Sequence, residues 1–173
     1  MRHPAVLLLS LALACQGPSL PSATETVDRF YAARIAAGTT GAPTHAELAG
    51  LTPYLGDSLR TLLEGARRLY QAESARSPGD KPAFAEGDLF SSLFEGPTSA
   101  VAVGVDSGGD RYRVTVRMRY DHATPPVAWE DRVVLGRNRG RFVIEDIEYG
   151  GDWPFASRGS LRTLLATALA SQP

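Results

Sequence analysis

The feature that most constrains this fold is a change of hydrophobic period at Pro97. Upstream, apolar residues recur every three or four positions, and downstream they alternate every second one. Thr24 to Ala37 carries Val27, Phe30, Tyr31 and Ile35 at helical spacing, with Gly38 as a stop. Thr44-His45-Ala46-Glu47 reads as a capping box ahead of Leu48 and Leu51, and Thr52-Pro53 offers a cap and a first-turn proline. Ser58 to Ser74 lines up Leu59, Leu62, Leu63, Ala66, Leu69 and Tyr70 opposite Arg60, Arg67 and Arg68. Ser77 to Gly87 is a loop. Asp88 to Phe94 is expected to form one capped helical turn that buries two phenylalanines.

Beyond Pro97, Val101, Val103 and Val105 alternate with small residues, and Ser107-Gly108-Gly109 turns the chain. Tyr112, Val114, Val116, Met118 and Tyr120 then alternate with Arg111, Arg113, Arg117 and Arg119. Thr124-Pro125-Pro126 leads into Val127, Trp129, Val133 and Leu135, and Asn138-Arg139-Gly140 into Phe142 and Ile144. Three such turns in succession predict a four-stranded antiparallel meander. Ser160 opens an amphipathic C-terminal helix through Leu161, Leu164, Leu165, Ala168 and Leu169. The implied fold is α+β: residues 24–171 form a single domain with N-terminal helices packed on a curved four-stranded meander, closed by a C-terminal helix.

Turn positions suggest strand register. A second hairpin closed by Pro125-Pro126 pairs Tyr120 with Val127, Met118 with Trp129, Val114 with Val133 and Arg117 with Glu130. The first hairpin sets Gly104 against Arg113 and Asp106 against Arg111, and the third sets Arg132 against Glu145. The arginines thereby meet acidic partners, which reads as a solvated, ion-paired sheet face; the competing reading is a surface for anions or lipid headgroups. The same register places Asp131 on the apolar face opposite Asp146. Two sheltered carboxylates side by side would raise at least one pKa and make a candidate acid–base pair. Tyr31, Met118, Trp129, Asp131 and Asp146 would then line a pocket. Two alternatives stay open: a β-bulge near Glu145-Asp146 that turns Asp146 outward, or an Asp131 that binds Arg29 or Arg34.

The amino terminus carries an address. Arg2 and His3 precede the apolar run Ala5 to Ala14, too short to span a bilayer, so residues 1–14 read as a cleaved leader. Leu11-Ala12-Leu13-Ala14-Cys15 resembles the bacterial lipobox, which implies lipidation of Cys15 and a tether over 15–23. Gln16 stands where aspartate would resemble an inner-membrane retention signal, which points to the outer membrane, facing the periplasm.

The stretches VDRFYAARIAAG, LTPYLGDSLRTLL, GDLFSSLFEGPTSAVAVGV and VIEDIEYGGDW together resemble the YbjP/YqhG-like bacterial lipoproteins (domain of unknown function 3828). More broadly they resemble the nuclear transport factor 2-like superfamily. The resemblance covers most of residues 24–170 and implies a cone-like fold on an envelope lipoprotein, without naming a chemistry.

Other signals narrow the function. A net charge of −1 gives no global pull on nucleic acid, and Tyr112 and Tyr120 alternate away from the arginines, so no nucleic-acid partner is expected. His45 and His122 are the only histidines after the leader and Cys15 the only cysteine, so neither a metal nor a cofactor is expected. The chain has no nucleophile elbow and no phosphate-binding loop. These features together predict a non-catalytic, membrane-tethered module that binds a small ligand or an envelope protein. The alternatives are a small isomerase, dehydratase or hydrolase using Asp131 and Asp146, and a homodimer formed through the sheet face.

Overall fold

Ser22 starts the first helix. In the computed structural model, which describes residues 20–171, its hydroxyl accepts from the Glu25 amide while the Glu25 carboxylate accepts from the Ser22 amide. That reciprocal box opens α1, Ala23–Ala37, and Gly38 ends it at φ 62, a left-handed position suited to glycine. The leader, Cys15 and most of the tether lie outside the described residues. Thr44 and Glu47 form the expected second box at the start of α2, His45–Leu51. Thr52–Tyr54 makes a single 3-10 turn, and α3 follows over Asp57–Arg76.

Four antiparallel strands come next in the order β1-β2-β3-β4: Ser99–Gly108, Arg111–Tyr120, Val127–Asn138 and Arg141–Glu148. α4, Leu161–Ala170, closes the chain, capped by the Ser160 hydroxyl. Among the described residues the fold is α+β, with four α-helices and one open antiparallel sheet. Val27, Phe30 and Tyr31 of α1, Leu59 and Leu63 of α3 and Leu161 and Leu165 of α4 are fully or almost fully buried. They pack with Val114, Val116, Met118, Val133, Leu135, Ile144 and Ile147 from the sheet. Side chains of this size each contribute about 1.5–3 kcal/mol on burial. α4 fits close on α3 because residue 65 is glycine: a Cβ there would stand 2.8 Å from Leu169 Cδ1.

The middle hairpin has the expected register at every pair, including Met118 with Trp129 and Arg117 with Glu130. The outer hairpins differ. In the first, the turn is Gly109-Asp110, so Gly104 faces Thr115 and Asp106 faces Arg113. A bulge at Val103 interrupts the alternation, and Val101, Val103 and Val105 remain exposed while Ala100 and Ala102 face the core. Small residues suit that side because α1 lies against β1, with the Asp28 carboxylate accepting from the Ala102 amide at 2.8 Å. In the third hairpin, Arg139 and Gly140 alone form the turn, at φ 50 and 80, and Glu145 is bulged. Arg132 therefore pairs with Glu148, not Glu145.

The Asp88 to Phe94 segment is not a helical turn. Its backbone is bound from outside: the Leu89 and Phe90 carbonyls accept from the Tyr149 and Tyr31 hydroxyls, and the Ser92 carbonyl accepts from the Ser157 amide. Leu89, Phe90 and Leu93 are buried, whereas Phe94 is 54% exposed, so one phenylalanine of the expected two enters the core.

Candidate functional site

β3 presents Asp131 inward, between Trp129 and Val133, and the carboxylate is fully buried. Four protein donors hold it. The Ser92 amide reaches Oδ2 at 2.8 Å and the Trp129 indole reaches Oδ2 at 3.2 Å. The Gly150 amide reaches Oδ1 at 2.8 Å, and the Ser92 hydroxyl donates to Oδ1 as well. Neither Arg29 nor Arg34 is a partner; Arg34 instead stands 3.8 Å from Asp88. Asp131 therefore ties the 88–94 segment and the chain after β4 to the centre of the sheet. The Ser92 hydroxyl oxygen extends the knot by accepting from the Gly151 amide at 3.0 Å.

Asp146 is elsewhere. It pairs with Val134, whose neighbours Val133 and Leu135 share the inner face with Asp131, so Asp146 lies on the outer face. The Glu145 bulge causes this, since one extra residue in β4 reverses the direction of those after it. Asp146 Oδ1 accepts from the Ile147 amide at 2.8 Å and the Arg162 amide at 2.9 Å, which fixes the start of α4. The sheet brings Asp131 and Asp146 into no common site.

The remaining members of the expected pocket fill the interior. Tyr31 and Met118 are buried, with the Tyr31 hydroxyl 2.9 Å from the Phe90 carbonyl. Trp129 meets Trp153 edge-on at 5.8 Å between ring centroids. Burial, then the nearby carboxylates of Asp131 and Asp88, pushes the Tyr31 phenol well above its ordinary range. Tyr149 is pushed up in the same way, chiefly by burial. Both phenols serve as neutral donors.

The arginine row is a paired surface. Arg111 stands 3.9 Å from Glu145, Arg113 3.3 Å from Glu148 and Arg117 3.0 Å from Glu130, and Arg119 binds Asp121. Hydrogen bonding to Arg119 holds the Asp121 carboxyl below its usual range. Where Arg111 and Arg113 cross Val134 they wall an open groove of about 350 Å³, shared with Glu145, Asp146, Glu148 and Arg162. A smaller and more apolar cavity, about 170 Å³, lies between α1 and α2 beside Ala33, Arg34, Pro43, Glu47 and Leu51. Arg34 is buried there over the Phe90 ring, its Nη1 bound to Thr39 Oγ1 at 2.8 Å.

Several of these roles were missed in the sequence. Ser92, Gly150 and Arg162 carry no motif; a serine pair inside an apolar stretch and a diglycine after a strand are the only traces. Gly150 is required by close approach, since a Cβ there would sit 2.1 Å from the Glu130 carbonyl oxygen. Among the described residues no cluster of histidine, cysteine and acidic groups could hold a metal.

No protein-family model matches the chain, and no solved structure does. The likeness found among curated proteins is to a bacterial lipoprotein. That relative is the "Uncharacterized lipoprotein YbjP" of Escherichia coli (strain K12), 28% identical over 116 residues, which cover 67% of this chain. The match spans 63% of that protein, less than two thirds of its length. The likeness fits a lipid-anchored envelope protein of unknown role. No helix among the described residues is long and apolar enough to cross a membrane.

Proposed function

We propose that this chain is an outer-membrane lipoprotein facing the periplasm, anchored through lipid on Cys15, whose domain binds a ligand or partner without catalysing a reaction. The observation that carries the non-catalytic reading is the state of Asp131. Both its oxygens are occupied by protein donors at a fully buried position, so it has no free lone pair directed at a substrate. The runner-up reading, acid–base chemistry by Asp131 with Asp146, loses its support because the two lie on opposite faces of the sheet.

Ligand recognition is assigned to the outer groove. Arg111, Arg113 and Arg162 there alternate with Glu145, Asp146 and Glu148, a lining that suits a polar ligand or peptide carrying both signs of charge. Membership of the YbjP/YqhG-like family and a cone-like, nuclear transport factor 2-like arrangement belong to the same proposal. They are supported by the lipoprotein relative and by helices covering one face of an antiparallel sheet. Val101 and Val103, exposed on β1, extend this surface toward an envelope partner or a second copy.

The test is to titrate isotope-labelled protein with small polar molecules and peptides extracted from the periplasm. Shifts confined to the groove residues and abolished by Arg113→Glu support the assignment. Shifts centred on Asp131 and Trp129 would overturn it.

A further inference from the structure

The described chain begins beside a cationic end of the sheet. Leu20 lies against the β3–β4 turn: the position a Cβ would take on Gly140 is 3.8 Å from Leu20 Cδ1. Leu20 and Pro21 share a shallow cavity of about 290 Å³ with Arg29, Pro53, Arg141 and Phe142. Arg137, Arg139 and Arg141 project from the turn strands, and Arg29 stands on the adjacent face of α1. All four are exposed, and none forms an ion pair among the described residues.

Their hydrogen bonds leave the charges intact. Arg137 stacks over Phe142 at 4.1 Å and donates to the Gly140 carbonyl at 3.0 Å. Arg141 donates to the Pro53 carbonyl at 3.2 Å. Two carboxylates share this end: Glu25, whose charge acts on Arg29, and Asp57, which stands 3.6 Å from Arg60 and lines a cavity with Arg139 and Arg141; the four arginines outnumber them. The neighbouring hairpin tip adds Asp110, and Arg111, which stands 3.9 Å from Glu145. The opposite end of the sheet carries Glu95 and Asp152 on its loops, beside the paired Arg119 and Asp121 and an Arg158 that donates to the Gly151 and Trp153 carbonyls. One end of the domain is therefore cationic, and it is the end from which the tether leaves.

Tether length makes that coincidence consequential. Leu20 is five chain steps beyond Cys15, so a lipid on Cys15 holds Leu20 within about 18 Å of the membrane surface at full extension. An exposed cation acts within roughly a Debye length of 8–10 Å, a distance that such a tether lets the turn reach. We infer that Arg29, Arg137, Arg139 and Arg141 form a membrane-facing surface that docks on anionic phospholipid headgroups and orients the domain with its β3–β4 turn toward the bilayer. This rests on the proposed anchor at Cys15.

The experiment uses the full lipidated chain, purified in detergent and reconstituted into vesicles of phosphatidylcholine, with or without one-quarter phosphatidylglycerol. Intact mass is read first. Hydrogen exchange is then compared between the two lipids for the 137–141 turn and the first turns of α1. Protection in these segments that needs phosphatidylglycerol and disappears at about 0.5 M NaCl is the expected result. The substitutions Arg29→Gln and Arg139→Asn keep the backbone, because asparagine tolerates the left-handed position at 139. Each should lower the docking equilibrium about fivefold. Equal exchange in both lipids, or protection of the 87–96 loop instead, overturns the orientation while leaving the anchor standing. A mass without acyl chains overturns the anchor and the orientation with it.

Discussion

Ser92 holds Asp131 by two bonds: its amide donates to Oδ2 at 2.8 Å and its hydroxyl to Oδ1. Together with the Gly150 amide and the Trp129 indole, these bonds join two loops to a buried position on β3. A carboxylate without a cation is tolerable there because four donors replace its water.

Removing the carboxylate should be costly. Asp131→Ala leaves up to four buried donors without an acceptor, a loss of at least about 3 kcal/mol. Urea unfolding of the variant should show it directly. If Asp131→Ala unfolded within about 0.5 kcal/mol of wild type, Asp131 would not be the structural tie described.

Two glycines should respond in opposite directions. Gly150→Ala drives a methyl into the Glu130 carbonyl, 2.1 Å away, and should cost about 1–3 kcal/mol or more. Gly50, inside α2, has open space where its Cβ would be, so Gly50→Ala should stabilise by about 0.4–1 kcal/mol. Thermal melting of the pair checks both signs.

Asp88 supplies a pH test. Burial raises its carboxyl above the ordinary value, against the opposing pull of Arg34 and the Phe90 amide. A carboxyl raised on folding favours the folded state when protonated. Its contribution is complete below the unfolded value near 3.8 and is lost as pH rises through the higher folded value. The stability of wild type relative to Asp88→Asn should accordingly grow as pH falls through that midpoint. A difference that shrinks on acidification would reverse the assignment.

The arginine face should contribute little to stability. Arg113 and Glu148 are 49% and 37% exposed, so a double-mutant cycle between them should give coupling below about 1 kcal/mol, weakening with salt. Coupling well above that would mean the groove is organised more rigidly than a solvated surface.

How far these features can be read in the sequence depends on local turn chemistry. The middle hairpin is legible because Pro125-Pro126 bounds its loop and Met118 and Trp129 then face each other. The third hairpin is not, for two reasons. Arg139 takes a left-handed position that its residue type does not advertise, and Glu145 bulges from a strand of ordinary appearance. The resulting shift of three positions converts an apparent aspartate pair into residues on opposite faces. The expected bulge at Glu145-Asp146 is the alternative that the structure contains. The valines of β1 mislead in another way. Apolar alternation does not reveal which face a helix covers: α1 covers the face carrying Ala100 and Ala102, Val101 lies on the other face opposite Arg117, and the bulge at Val103 sets Val105 opposite Val114. Ser92 was illegible because its partner lies 39 residues away and no spacing rule connects them.

The most direct test of the central claim, a tethered envelope protein, is the intact mass and amino-terminal residue of the mature chain isolated from membranes. The account predicts a chain that begins at Cys15 and carries two or three acyl groups. A mature chain that begins elsewhere, or one whose Cys15 is unmodified, would contradict it.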